Sequence, residues 1–400
     1  MSEKSLALYG GSPVRSRLLP YGRQLLGNEE IAAVVAVLRS DWLTTGPKVS
    51  EFEADFAATV GANYAVAVSS GTAALHLMIA ALRFTAGDEV IVPALTFVAS
   101  ANCVAYQHAT PVFADVDPDT LLIDPKSVER LITPHTRAIL AVDYTGAPCN
   151  YFILRELAEH YHLALLADSC HALGAYYHGR AIGSVADLTA FSLHPVKHIT
   201  AGEGGVITTD NAELAQRLRI LRSHGITTDY REREQRGVWE YQMVELGFNY
   251  RITDIQCALA LAQLRRLPDF LQRRRAIARN YRLAFADFPE LTPLAEPVNT
   301  NHAYHLYVIR LNLSRLTVGR NTIFRALRAE GIGVNVHYAP VHLHPYYQRI
   351  YHTHSGQCPI AESAASEILS LPIFPGMTDS DIADVIRAVQ KVISVYTVSH

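Results

Sequence analysis

From residue 64 onward the chain repeats one pattern: a run of four to six mostly apolar residues, then a segment long enough for a helix. The runs fall at residues 64–68, 89–92, 111–114, 138–142 and 163–167. Two more, at 188–193 and 206–209, are joined by a glycine-rich loop. The runs are apolar on both faces instead of alternating, as strands are when helices cover both sides of a parallel sheet. The expectation is an α/β chain built on a seven-stranded, mostly parallel sheet. Helical spacing is plain at 29–38 and 72–82, with a turn at Thr44-Thr45-Gly46-Pro47. A helix-dominated stretch at 253–288 closes the large domain. A strand at 303–311, a helix at 321–330 and a terminal helix after Thr378 then read as a separate α+β unit. The predicted division is a polar, turn-rich arm of residues 1–30, a large domain of residues 31–270 and a small domain of residues 271–400. A long helix, not a flexible tether, is expected at the border.

Composition excludes several functions. The chain has 400 residues, 49% hydrophobic and 18% charged, with a formal net charge of −3. It can bury a large core, and it offers no basic excess for nucleic acid or an anionic membrane. The five cysteines are scattered without a CxxC pair, so neither a disulfide framework nor a structural metal is expected. The N-terminal residues lack the apolar core of a signal peptide, and no apolar run is long enough to span a bilayer. A soluble protein of the cytoplasm is the expectation.

Lysine is scarce: Lys4, Lys48, Lys126, Lys197 and Lys391 are the only five among 35 basic residues. Lys197 alone follows a buried-type strand and precedes a glycine-rich loop, in FSLHPVKHITAGEGG. There a chain can deliver an amine into a cavity, where burial would lower its pKa and leave a nucleophile suited to a Schiff base. On spacing alone, a surface lysine in a loop is equally well supported. Ser70-Gly71-Thr72 joins a strand to a helix, a recipe for holding phosphate on free N–H groups; a plain N-cap is the stronger local reading. Asp168 ends an apolar strand, where open α/β sheets bind ligands, with His171 three residues on. Facing a pyridine nitrogen it would keep a cofactor ring electron-poor; a turn or N-cap aspartate is the plain alternative. Phe97 could stack on such a ring or sit in the core. No GxGxxG or P-loop is present. His342, His344, His352 and His354 lie in a loop-like segment without cysteines, which favours surface or interface positions over zinc.

The ordered set SSGTAAL, PALTFVAS, ADSCHALG, FSLHPVKHITAGEGG, RSHGI, ELGFNYRITDIQ and the late VHY resembles the DegT/DnrJ/EryC1/StrS nucleotide-sugar aminotransferases. Each motif is weak alone; seven in order are specific, and they cover the chain from residue 42 almost to its end. The resemblance implies a fold type I homodimer that uses pyridoxal 5′-phosphate (PLP). It implies Lys197 as the Schiff-base lysine and Gly71, Thr72 and Ser192 on the phosphate side. Phe97 would stack on the ring, Asp168 would partner the pyridine nitrogen, and His171 would neighbour the ring hydroxyl. Asn249 would reach the phosphate from the second subunit. Within the family the wording is nearest to the transaminases of pseudaminic acid synthesis, notably at AVDYTGAP, the Trp239 insert and VHYAPVHLHPYY. That branch implies amino transfer from L-glutamate to C4 of a UDP-4-keto-6-deoxy-N-acetylhexosamine, giving UDP-4-amino-4,6-dideoxy-N-acetyl-β-L-altrosamine. It implies substrate contacts at Tyr21, Asp41, Trp42, Leu43, Thr44, Val336, His337, Tyr338 and Ala339. The alternatives are another nucleotide 4-keto or 3-keto sugar, a PLP-dependent sugar dehydratase, or a non-catalytic regulatory homologue.

Overall fold

All seven apolar runs pair into one sheet. In the computed structural model, which describes residues 3–228 and 230–398, they are β1 (Tyr64–Val68), β2 (Glu89–Pro93), β3 (Thr110–Ala114), β4 (Thr136–Val142), β5 (Ala164–Asp168), β6 (Leu188–Ser192) and β7 (Gly205–Thr209). The spatial order is β1-β7-β6-β5-β4-β2-β3. Strands β2 to β6 pair in parallel, whereas β7 runs antiparallel to both β6 and β1. The reversal follows from the connection: residues 193–204 hold no helix, and a parallel crossover normally needs one. This helix-free return carries Lys197 past the carboxyl end of the sheet.

The helices around the sheet include α1 (Asn28–Leu38), α2 (Pro47–Val60), α3 (Gly71–Ala81), α4 (Ala99–Tyr106), α5 (Asp254–Arg265) and α6 (Leu267–Ala284). Helix α3 is buried from Ala73 to Ala81, as a helix apolar on every side must be. The turn expected at 44–47 is cut short at Gly46, because Pro47 already opens α2, which Gly61 ends at φ +67°. Phe52, Phe56 and Val60, four residues apart, bury its inner face. Most of the central sheet is closed on both faces; Leu165, Leu166 and Ala167 of β5 have no exposed surface.

A second hydrophobic core forms around a three-stranded antiparallel sheet of β8 (Leu291–Pro293), β9 (Tyr307–Leu311) and β10 (Ile368–Leu371). The C-terminal half of α6, α7 (Arg320–Ala329) and α8 (Asp379–Tyr396) pack on it. The strand expected at 303–311 begins only at Tyr307. Residues 303–306 bond elsewhere: Ala303 N donates to Gly146 O at 2.9 Å and Leu306 N to Thr145 O at 3.1 Å. The described part of the arm is pinned to this second core. Glu330, fully buried, accepts from Ala7 N, Val14 N and Lys391 Nζ at 2.9, 3.0 and 2.8 Å. Among the described residues no helix is long and apolar enough to cross a membrane.

Candidate active site

The carboxyl ends of β1, β5 and β6 open into a cavity of about 520 Å³, roofed by residues 335–338 and reached by Tyr21 of the arm. That volume suits a bound cofactor with a small substrate part, since ligand pockets run to roughly 300–1,000 Å³. Lys197, Asp168, His171, Gly71, Thr72, Ser192, Phe97, Tyr21, Val336, His337 and Tyr338 all line it.

Lys197 is partly buried in the cavity wall, held by its backbone N–H on His194 O at 2.9 Å. Burial presses its pKa below the ordinary lysine range and Arg274 adds to the effect, against Cys170 and Asp168. Among the described residues no carboxylate lies within ion-pair distance of its amine. A partly desolvated, unpaired lysine gives up its proton more readily than one in water.

The start of α3 satisfies both local readings of Ser70-Gly71-Thr72. Ser70 is the N-cap, its Oγ accepting from Ala73 N at 3.0 Å, yet Gly71 and Thr72 also face the cavity. A Cβ on Gly71 would stand 2.9 Å from Ser192 Cβ, so the glycine draws the helix N-terminus against the end of β6. A Cβ on Gly205 would meet Ser70 O at 2.3 Å. Backbone is therefore packed on backbone here, leaving a polar recess at a helix N-terminus.

Across the cavity, Asp168 is buried at the end of β5. Ser100 Oγ donates to its Oδ2 at 2.6 Å, and Cys170 N to its Oδ1 at 3.2 Å. These bonds fix the carboxylate's orientation. His171 Nε2 and Tyr338 Oη are 3.2 Å apart, and Nδ1 of His171 is buried without a hydrogen-bond partner. Burial first, then Lys197, His337 and His198, hold His171 well below the usual histidine range, so it is neutral at pH 7. Phe97 is not a core residue: it is 53% exposed at the cavity edge, its ring 5.9 Å from that of Tyr338. Tyr144, buried behind, donates its hydroxyl to His337 O.

Other expected positions lie outside the cavity of their own chain. Asp41, Leu43, Thr44 and Ala339 are exposed and Trp42 half-buried, and none lines the wall. Residues 41–44 are drawn aside because Thr44 bridges Thr253, while Asp254 accepts from Gly46 N and Lys48 N at 2.7 and 2.8 Å. Asn249 is also exposed and away from the wall, its backbone paired with Ser223. His342 corrects the surface reading of the late histidines. It is fully buried, its Nε2 3.0 Å from Glu362 Oε1, whereas His352 and His354 are exposed. The sequence pattern also passed over His305 and Cys170, which line the cavity. ADSCHALG contains Cys170, but no local motif marks His305.

The residues fit PLP on observations of this structure alone. The recess at Gly71 and Ser192 suits a phosphate, Lys197 offers an unpaired amine, Asp168 a fixed buried carboxylate, and His171 a buried nitrogen without a partner. A parallel sheet with one reversed strand, carrying a lysine on the helix-free return, is the scaffold of a fold type I PLP-dependent aminotransferase. The chain belongs to the DegT/DnrJ/EryC1/StrS aminotransferase family, whose model matches residues 24–390. It is 42% identical over 382 residues to the spore coat polysaccharide biosynthesis protein SpsC of Bacillus subtilis, covering 95% of this chain and 98% of SpsC. Among solved structures it is similar to Helicobacter pylori PseC, an aminotransferase involved in pseudaminic acid biosynthesis. That match has a TM-score of 0.89 and 31% identity, over 95% of this chain and 100% of PseC. Streptococcus pneumoniae Spr1654 in its PLP form matches with a TM-score of 0.88 and 33% identity, over 94% of this chain and 99% of that one.

Proposed function

We propose that the protein moves the amino group of L-glutamate to C4 of a UDP-linked 4-keto-6-deoxy-N-acetylhexosamine, a step of pseudaminic acid biosynthesis in the cytoplasm. The observation that carries the aminotransferase chemistry is Lys197, an unpaired amine whose pKa burial lowers, opposite the fixed carboxylate of Asp168. The likeness to PseC supports the sugar.

Bound PLP supplies an electron sink for the carbon that loses a proton. Gly71, Thr72 and Ser192 would hold its phosphate, Asp168 its pyridine nitrogen, His171 its ring hydroxyl, and Phe97 one ring face. Lys197 Nζ would move a proton from Cα of the donor to C4′ of the cofactor in the first half-reaction, and from C4′ to C4 of the sugar in the second. Tyr21, Val336, His337 and Tyr338 form the sugar wall. Asn249, Asp41, Trp42, Leu43, Thr44 and Ala339 complete the site of a second copy in a homodimer. Two features support that assembly: the exposure of all of these but the half-buried Trp42, and the apolar surface of Trp239, Met243, Val244 and Leu246, which are 80%, 63%, 56% and 81% exposed. The division into residues 1–30, 31–270 and 271–400 belongs to the same proposal; a second core built mostly from residues beyond 276 supports it, although residues such as Ala303, Val341 and Ala361 pack into the first core. The likeness to SpsC favours a second reading, a different nucleotide keto-sugar destined for a polysaccharide.

Two measurements test this. Lys197→Ala should lose the chromophore of the lysine-bound cofactor and about 10³-fold or more in turnover; wild-type turnover in that variant would sink the mechanism. Incubation with PLP, glutamate and a panel of UDP-4-keto-6-deoxy-HexNAc epimers, with products identified by NMR, tests the sugar. Amination of the D-xylo epimer alone would overturn the pseudaminic acid reading and leave the aminotransferase intact.

A further inference from the structure

Four buried imidazoles cluster at the cavity, three lining it (His171, His305 and His337) and His198 packed against His305, and all but His305 are engaged. His171 Nε2 meets Tyr338 Oη at 3.2 Å, and His198 Nε2 meets Ala303 O at 3.1 Å. His337 uses both nitrogens, Nδ1 with Ser370 Oγ at 2.8 Å and Nε2 with Asn335 Nδ2 at 3.3 Å. His305 is the exception. Only 4% of it is exposed and its ring lines the cavity, yet among the described residues neither of its nitrogens has a hydrogen-bond partner. Nδ1 is fully buried, which leaves Nε2 as the nitrogen turned to the cavity. The ring cannot swing away: its centroid is 4.4 Å from that of His171 and 5.8 Å from that of His198. Its backbone is locked too, because Arg274 Nη1 donates to the carbonyls of Tyr304, His305 and Ile373 at 3.1, 3.3 and 2.9 Å.

We infer that His305 is a substrate-contacting residue of the donor half-reaction, its Nε2–H donating a hydrogen bond to the α-carboxylate of the amino acid that gives up its nitrogen. The inference rests on the aminotransferase reading with glutamate as donor. Two chemical arguments and one observation lead to it. The α-carboxylate is bonded to the carbon that Lys197 deprotonates, so its anchor must stand near Lys197, in the cavity that His305 also lines. The charged diphosphate of the sugar substrate lies several bonds from its ketone carbon. Finally, no arginine lines the cavity among the described residues, and Arg274 has turned one arm of its guanidinium onto three carbonyls. Burial, with Lys197, His171, His198 and Arg274 nearby, holds His305 well below the usual histidine range. It therefore acts as a neutral N–H donor and does not compete with Lys197 for a proton.

The test separates the two half-reactions in the holoenzyme. His305→Phe keeps the ring against His171 and removes the donor; His305→Gln keeps an N–H. For His305→Phe, the dissociation constant of L-glutamate, read from bleaching of the bound PLP chromophore, should weaken about 10- to 100-fold, the range for a hydrogen bond to a charged group. The affinity for PLP and the spectrum of the bound cofactor should change by less than about 2-fold, and so should the KM for the keto-sugar. His305→Gln should recover most of the donor affinity. Unchanged donor binding overturns the inference. A matching loss on the sugar side would instead make His305 a sugar contact, and a weakened or spectrally shifted cofactor would make it a prop for His171. If wild-type protein takes its nitrogen from another amino acid, the glutamate reading fails and the same comparison is run with that donor. A chromophore that responds to no amino acid overturns both.

Discussion

Two regions of the protein bury histidines and surround them with opposite charges. Behind the loop at 352–358, His342 lies against the carboxylate of Glu362, which also accepts from Ser355 Oγ, Gly356 N and Cys358 N at 2.7, 2.8 and 3.3 Å. At the cavity, His171, His198 and His305 pack on one another beside Lys197 and Arg274. Each region leaves an Nδ1 unpartnered, so an orphan nitrogen alone does not mark function. What separates them is that the first cluster is closed by its own carboxylate. The second leaves its bonding capacity and its positive field turned to a cavity. A buried polar group satisfied within the chain serves stability, whereas one satisfied only from a cavity serves binding.

The largest effect is expected from breaking the cationic side. Arg274 is 1% exposed, and burial draws its pKa down to about 9. Arg274→Met should cost about 3 kcal/mol or more in chemical denaturation, because three buried carbonyls lose their donor together. The sign of the accompanying pH effect is fixed: a nearby cation depresses basic groups, so its removal lets Lys197, His198 and His305 rise. The rising limb of the pH profile, along which Lys197 becomes the neutral base, should move to higher pH in the donor half-reaction. A variant of wild-type stability with an unmoved profile would show that the guanidinium neither braces nor polarises the site.

The next effect tests the opposite wall. Gly205→Ala places a Cβ 2.3 Å from Ser70 O and 2.9 Å from Gly71 N, backbone that cannot give way as a flexible side chain would. PLP affinity should fall about 10-fold or more, with roughly 1–3 kcal/mol of stability lost to overpacking. Titration of the apoprotein with PLP reads the first and urea denaturation the second. Unaltered PLP affinity would separate the Gly71 recess from the phosphate.

These two walls also differ in how far the sequence discloses them. Lys197, Asp168, Gly71 and Ser192 sit at the ends of apolar runs, and a parallel sheet gathers its strand ends at one edge whatever the loops do. Their meeting was legible once the runs were read as strands. His305 was not. It lies at the head of the apolar stretch 303–311, which reads as strand throughout, and only the competing bonds of residues 303–306 to the 145–146 turn peel it off the sheet. Helix α2 was missed because Thr44-Thr45-Gly46-Pro47 reads as a turn, and Pro47 serves a turn and a first helical position equally well. His342 misled for the opposite reason. Its segment is polar and loop-like, and burial came from a carboxylate twenty residues on that no periodicity reveals.

The smallest effect sharpens the contrast at that second histidine. Burial alone would raise Glu362, but the bonds from His342, Ser355, Gly356 and Cys358 outweigh it and hold the carboxyl down at about 2. Its folded pKa is thus below the value near 4.5 that it regains on unfolding. A depressed acid contributes stability above the unfolded pKa and loses it as pH falls toward the folded one. Glu362→Gln should therefore cost about 1 kcal/mol at pH 7, because a neutral amide accepts the same bonds more weakly. The gap to wild type should narrow between pH 4.5 and about 2. Urea denaturation at pH 7, 5 and 3.5 measures it, and turnover at pH 7 should stay within about 2-fold because the cluster lies off the cavity wall. A gap that does not change with pH would mean that the carboxylate carries no special charge at His342. The two histidine regions would then differ only in what faces them, not in the charge that closes them.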